Sequence, residues 1–220
     1  VLKLLSLSLS LSLSLSLSLS LFMVLGQSST YASSQQASHL RLDPLLERVE
    51  VSLQAHQALV EQLRLDRETL LALGSAAGDD LQTIFVAMSK DYRDAVESAV
   101  SVSSAIAGVN QTAITLFEAW REEIGDLTEP RLKADNEAQF TASWQRYEEL
   151  IQSLQRSEAM IDPVLADLKS NLVYFKHALD ESSVASRKTE LSDTGNHTQA
   201  LINALTSSVV MSKAFQKSMQ

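Results

Sequence analysis

Histidine and carboxylate are the residues of this chain that could hold a metal or move a proton, and their spacing decides whether they do. A helical bundle that binds a metal pair presents Glu-x-x-His on each of two helices, because a three-residue step puts both ligands on one face. The residues three before His39, His56, His177 and His197 are Gln36, Leu53, Tyr174 and Thr194, so the pattern is missing at each. His56 falls on a core-facing position, where a histidine packed against a neighbouring helix is the expected role rather than a ligand. Asp79-Asp80, Glu122-Glu123 and Glu148-Glu149 are adjacent carboxylates. Neighbours on a helix point about 100° apart, so these pairs read as solvated faces rather than acid–base couples. His-Glu-x-x-His, the Gly-x-Ser-x-Gly elbow and the Gly-Lys of a phosphate-cradling loop do not occur. With no cysteine, disulfides, thiolate metal sites, cysteine nucleophiles and a lipidated N-terminus are excluded. The expectation is a non-enzyme: no catalytic, cofactor-binding or metal-ligating residue, and no cofactor.

The elements that would carry any site are helices. Six glycines, three prolines and long stretches of apolar residues spaced by threes and fours predict an all-α fold. Four helices are expected, at about 43–73, 79–127, 131–180 and 184–217. Asp43-Pro44 reads as the cap and first position of the first helix, with apolar or core-facing positions at Leu46, Val49, Leu53, His56, Val60, Leu63, Arg67 and Leu70. Gly74 to Asp79 reads as a turn. The second helix repeats from Leu81 to Leu127 through Val102, Ile106, Val109 and Leu116 with a mean step near 3.5, the coiled-coil period. At 1.5 Å per residue it would be roughly 70 Å long. Thr128-Glu129-Pro130 ends it. In the third helix the register survives Pro163, which predicts a kink there, the alternative being a new helix capped by Asp162. Trp120, Trp144, Tyr147, Tyr174 and Phe175 lie on the apolar stripes and read as core. Short connections make neighbours antiparallel, giving an elongated antiparallel bundle or coiled coil of three to four long helices.

The N-terminus carries a different signal. Leucine alternates with serine from Leu5 to Leu21, and no charged residue lies between Lys3 and Arg41. A strand of that length would need a sheet, which nothing else in the chain offers. As a helix the run spreads leucine and serine around the whole circumference with no amphipathic face, and its leucines, phenylalanine and valine contribute about −4 to −8 kcal/mol toward membrane insertion before the serines are counted. One basic residue, an apolar core and a small, polar tail follow the export pattern, with Thr30-Tyr31-Ala32 before Ser33 as the cleavage site and Gly26 as a second candidate. The expected organisation is a signal peptide at 1–32 with a Leu-Ser low-complexity core, then one helical-bundle domain at 33–220. Retention of the core as a membrane anchor is the alternative, because its length approaches the ~20 residues that span a bilayer. The mature chain would carry 17 basic against 27 acidic residues. That balance, with no basic stripe, argues against nucleic acid and anionic lipid as partners. The Asn-x-Thr sequons at Asn110 and Asn196 lie in helical pattern and read as chance.

Between Leu116 and Ser186 the chain carries F-x-x-W-x-x-E-I (Phe117 to Ile124), R-Y-E-E-L (Arg146 to Leu150), and M-I-D-P-V-L leading to V-Y-F-K-H-A-L (Met160 to Leu179). On these segments it resembles the bacterial domain of unknown function family 2959 (DUF2959), with weaker similarity upstream covering most of the mature chain. The resemblance implies an exported helical protein and supplies no catalytic residues. The expectation is an exported, periplasmic or secreted, envelope-located coiled-coil protein that acts through contacts with other proteins or itself. The alternative is an inner-membrane-anchored or membrane-active helical hairpin protein.

Overall fold

The structure is a computed structural model that describes residues 42–219, and Pro44–Gln220 form one compact unit. The Leu-Ser tract, His39 and the expected cleavage position Ala32–Ser33 lie outside the described residues. Every described element is a helix. The first, α1, covers 42–73, followed by α2 (Asp80–Asp126), α3 (Pro130–Glu158), α4 (Ile161–His177), the short α5 (Glu181–Ser186) and α6 (Lys188–Ser218).

The helices alternate in direction. Gln62 Nε2 donates to the Asp91 carbonyl at 3.1 Å, whereas Arg48, earlier on α1, lies beside Gly108, later on α2. Tyr147 of α3 reaches back to Asn110 of α2, Ser208 of α6 meets Ser153 of α3, and Thr194 of α6 meets Asn171 of α4. Gln216 and Gly195 of α6 close the ring onto Glu50 and Arg67 of α1. The result is an all-α, up-down-up-down bundle in which α3 and α4, end to end, form one of four corners. Each connection is short, as antiparallel neighbours require. Gly78 takes φ +58° in the α1–α2 turn, a conformation open to glycine at no steric cost. Glu129 accepts from the backbone N–H groups of Arg131 and Leu132, and Pro130 fills the first position of α3, where a missing N–H costs nothing.

The helix edges differ from expectation at three places. Leu42 and Asp43 are already helical, so Asp43 is not the cap of α1. The 131–180 stretch is two helices rather than one kinked at Pro163, and Asp162 caps neither. The interruption lies at Ala159–Met160, where the Met160 N–H bonds the Ser157 carbonyl three residues back. Proline 163 explains the displacement: it has no N–H to offer the Ala159 carbonyl four residues earlier, and its ring pushes against that carbonyl. The effect of a helical proline is therefore felt one turn upstream. The stretch after 180 is also two helices, α5 and α6, with Asp180 accepting from the Ser183 N–H at 2.9 Å as the cap of α5.

The core follows the heptad seams. Val102, Ile106 and Val109 are buried at the centre of α2. Toward its C-terminus the buried residue is Phe117 rather than Leu116, and Phe117 anchors an aromatic cluster. Its ring meets Trp144 edge-on at 5.0 Å, Phe140 edge-on at 5.7 Å and Trp120 in a stack at 6.1 Å. Phe117, Trp120, Tyr147 and Phe175 are buried, and Trp144 and Tyr174 are half-buried.

Candidate functional site

Among the described residues two ionisable side chains, His56 and Asp66, have no exposed surface, and both are on α1. Leu45, Val49, Ser52, His56, Leu59, Leu63, Asp66 and Leu70 alternate steps of four and three and are all buried. That seam sets which faces point inward, so it carries its polar members inside with the leucines.

His56 Nδ1 lies 2.7 Å from the Ser52 carbonyl. A carbonyl only accepts, so Nδ1 carries the proton and Nε2 presents a lone pair to the interior. Nε2 has no hydrogen-bond partner. Burial lowers the imidazole below its ordinary pKa, against an upward pull from the Ser52 carbonyl and from Glu158, so the ring is neutral near pH 7. On the same level of the bundle, Ser208 of α6 donates to the Ser153 carbonyl at 3.0 Å. The Ser157 hydroxyl lies 3.0 Å from Ser208 Oγ, donates to the Leu154 carbonyl at 2.8 Å, and closes α3 just before its interruption. Ser212 bonds the Ser208 carbonyl one turn back. These hydroxyls are satisfied by one another and by backbone, so small polar residues let α3 and α6 approach closely at no net hydrogen-bond loss.

Asp66 is different. Neither carboxylate oxygen has a hydrogen-bond partner. Burial raises its pKa to about 7, Asp91 adds to the rise, Gln62 opposes it and Asp94 adds again. Gln62 has its one well-formed hydrogen bond elsewhere, on the Asp91 carbonyl. A carboxyl group in this position is the neutral acid below about pH 7 and ionises, at a cost, as the pH rises through that value.

A second polar set joins α4 to α6. Asn171 Nδ2 donates to Thr194 Oγ1 at 2.9 Å and to the Asp167 carbonyl at 3.1 Å, and Thr198 bonds the Thr194 carbonyl. At its solvated rim His197 Nδ1 and Asp167 Oδ2 are 2.8 Å apart, both well exposed. His177 is exposed at the end of α4, and the three carboxylate pairs named from the sequence are exposed. Asn110 accepts from Tyr147 Oη at 2.7 Å, while Asn196 stands exposed on α6.

These groups are not brought together. His56 and Asp66 are ten residues apart on one helix, about 15 Å, too far for a proton to pass between them directly. Among the described residues no three His, Asp or Glu side chains converge as a metal would need. What the arrangement can do chemically is bind and release protons inside the bundle, at Asp66 and at His56. Sequence reasoning missed Asp66 because it placed the stripe on Arg67. The strict four-three alternation from Leu45 was the signal that picks it out.

No curated protein is significantly similar to the chain. Residues 30–219 match the model of the family described as Protein of unknown function (DUF2959), a span that takes in the six described helices. The chain belongs to that family.

Proposed function

We propose that the chain is an exported, envelope-located helical coiled-coil protein that works through protein contacts, in a structural or scaffolding role, and not by catalysis. The observation that carries this reading is how the bundle distributes its polar groups. The inner seams spend their hydroxyl and amide groups on neighbouring helices and backbone carbonyls, and leave long helix faces as the surface on offer. The charge-free Leu-Ser run with its small-residue tail supports export. Crosslinking in intact envelopes followed by affinity capture tests the role. Recovery of defined partners, lost when exposed helix-face residues are replaced, is the expected result. Turnover of a substrate or a stoichiometric bound metal in the purified protein would overturn it. Intact-mass measurement tests the leader: a start at Ser33 is expected, and a product retaining Leu5 to Leu21 selects an anchored protein.

One observation favours the second reading, a membrane-anchored or membrane-active helical hairpin protein. Helix α2 is long and apolar enough to cross a membrane by length and composition, with a window of mean hydropathy 1.2. The core helix of a bundle meets the same description. Flotation of the purified protein with lipid vesicles separates the two readings.

A further inference from the structure

Asp66 differs from the hydroxyls and amides buried near it, because enclosure leaves its carboxyl oxygens nothing to bond. The donors around it are engaged elsewhere. Gln62 Nε2 is on the Asp91 carbonyl, Arg67 Nε on the Gly195 carbonyl, Asn171 Nδ2 on Thr194 Oγ1, and the Thr198 hydroxyl on the Thr194 carbonyl. The charges that act on Asp66 are of its own sign: Asp91 and Asp94 of α2, the second of which holds Lys90 at 2.5 Å. From α4 and α6, Asp167 and His197 pair with each other at the rim, and Glu181 of α5 is taken by the Gly78 N–H. A neutral acid is tolerated in such a place, whereas a carboxylate has to reach water.

The position of Asp66 decides what can move. It lies in the last turns of α1, ahead of the turn that joins α1 to α2 and makes the two helix ends one tip. Polar ties from that tip to α5 and α6 lie at the surface: the Gly78 N–H on Glu181 at 3.0 Å and Arg67 on the Gly195 carbonyl at 3.2 Å. Leu191 rests on Gly74, and Leu70 and Leu71 rest on Gly195, so apolar side chains meet bare backbone and do not interlock. We propose that the tip of the α1–α2 hairpin is a pH-operated gate: when Asp66 loses its proton, the tip swings away from α5 and α6 far enough to hydrate the carboxylate, while the aromatic end of the bundle stays folded. Opening uncovers the buried Leu70, Leu73 and Leu191, so the bundle offers above neutral pH an apolar surface that it hides in acid. The gate does not depend on the scaffold reading.

The direction follows from proton affinity. In the closed tip, burial first and then the α2 carboxylates hold the Asp66 pKa up at about 7. Once hydrated the group returns to the ordinary carboxylate range, about 4. The closed form binds the proton more tightly, so rising pH favours the open one. Between those two values the opening equilibrium grows about ten-fold per pH unit, and above the higher one it levels off.

The test is amide hydrogen exchange on the full chain from pH 5 to 8, read by mass spectrometry and corrected for the intrinsic rise of exchange with pH. Amides of residues 63–88 should be less protected than those of 106–120 throughout. Their protection should fall about ten-fold per pH unit up to about pH 7 and then level off. Low urea should leave their rates unchanged while it speeds exchange at 106–120, which opens only with the whole bundle. Trp120 and Trp144 lie at the aromatic end, so tryptophan emission should stay constant over the same range. Asp66→Asn, folded by circular dichroism, should hold the tip closed with no slope. Asp91→Asn, at a half-buried position, removes a like charge, so levelling should come at a lower pH and the tip should be better protected at pH 8. If Asp66→Asn fails to fold, Asp91→Asn decides alone. Equal protection of 63–88 and 106–120 at every pH overturns the gate, because opening is then global. A slope that survives in folded Asp66→Asn overturns it too, as does Asp91→Asn exchanging like the wild type.

Discussion

Where α2 ends and α3 begins, Phe117, Trp120, Phe140 and Trp144 pack ring against ring, and a part-buried polar tie runs from Tyr147 to Asn110. At the opposite end, where α1, α4 and α6 meet, Asp66, Asn171, Thr194 and Thr198 are threaded between leucines. Both regions are closely packed, but they differ in what they ask of the solvent. The aromatic end is held by area and ring geometry, which change little with pH. The polar end encloses a group whose protonation state decides whether enclosure is tolerated. One bundle thus carries a pH-indifferent half and a pH-dependent half.

The comparison can be broken first at its midpoint. Ile106→Asp puts an unpaired charge between the two regions and should cost several kcal/mol, about 3–5, against a total of roughly 5–15. Thermal denaturation followed by helical circular dichroism should show the largest fall in Tm of the series. A wild-type melt would mean that this seam is not buried and the bundle is wrong. Phe117→Ala comes next, at about 3–5 kcal/mol for a large buried ring, with a loss that is the same at pH 5 and pH 8. A loss that varies strongly with pH would erase the distinction between the ends.

The pH dependence itself is the third test. Asp66 has its folded pKa raised from 3.8 to about 7. The folded state therefore binds more protons than the unfolded one between those values, and stability falls as pH rises through that window. The full difference is on the order of 4 kcal/mol. His56 acts in the opposite sense. Its folded pKa is lowered, so its contribution is complete above the ordinary histidine value and is lost as pH falls. Urea unfolding of Asp66→Asn should lose the decline toward pH 8 and keep the acid limb. An unchanged slope between pH 5 and 8 in that variant would remove Asp66 as its source. The smallest effect belongs to Tyr147→Phe, which gives up the Asn110 hydrogen bond and should cost about 1 kcal/mol at any pH. A larger cost would mean that the aromatic end depends on that tie rather than on its rings.

Much of this architecture is legible in periodicity alone. The long α2, the turn at Gly74 to Asp79 and the stop at Thr128-Glu129-Pro130 follow from spacing and local chemistry that do not depend on the partner helix. The polar end was harder to read for a physical reason. Asp66 occupies a seam position, but a carboxylate is ordinarily too costly to bury, so the stripe was drawn through Arg67, whose Nε instead reaches the Gly195 carbonyl at the rim. In α4 the buried positions are Val164 and Asn171 rather than their neighbours Leu165 and Leu172, because the register that continues after the break, and not hydrophobicity, sets the inner face. The position of that break was not legible from Pro163 itself, since its lost hydrogen bond belongs to a carbonyl one turn earlier. Ser153, Ser157, Ser208 and Ser212 were invisible because a serine inside a close helix contact looks, in sequence, like one on the surface.

The interruption at Ala159–Met160 gives the bundle a mechanical asymmetry. Helix α2 is one uninterrupted rod of 47 residues, while the corner beside it is two rods of 29 and 17 residues laid in series. A load that bends the bundle is resisted by an unbroken ladder of backbone hydrogen bonds along α2, but at the joint by side chains and the turn bonds of the Ala159 and Met160 N–H groups. The joint is therefore where flexure concentrates, with α2 as the splint that keeps both rods aligned. Amide protons from Ser157 to Val164 should exchange with solvent faster than their counterparts on α2 at the same level, because each opening there breaks a shorter run of cooperating bonds.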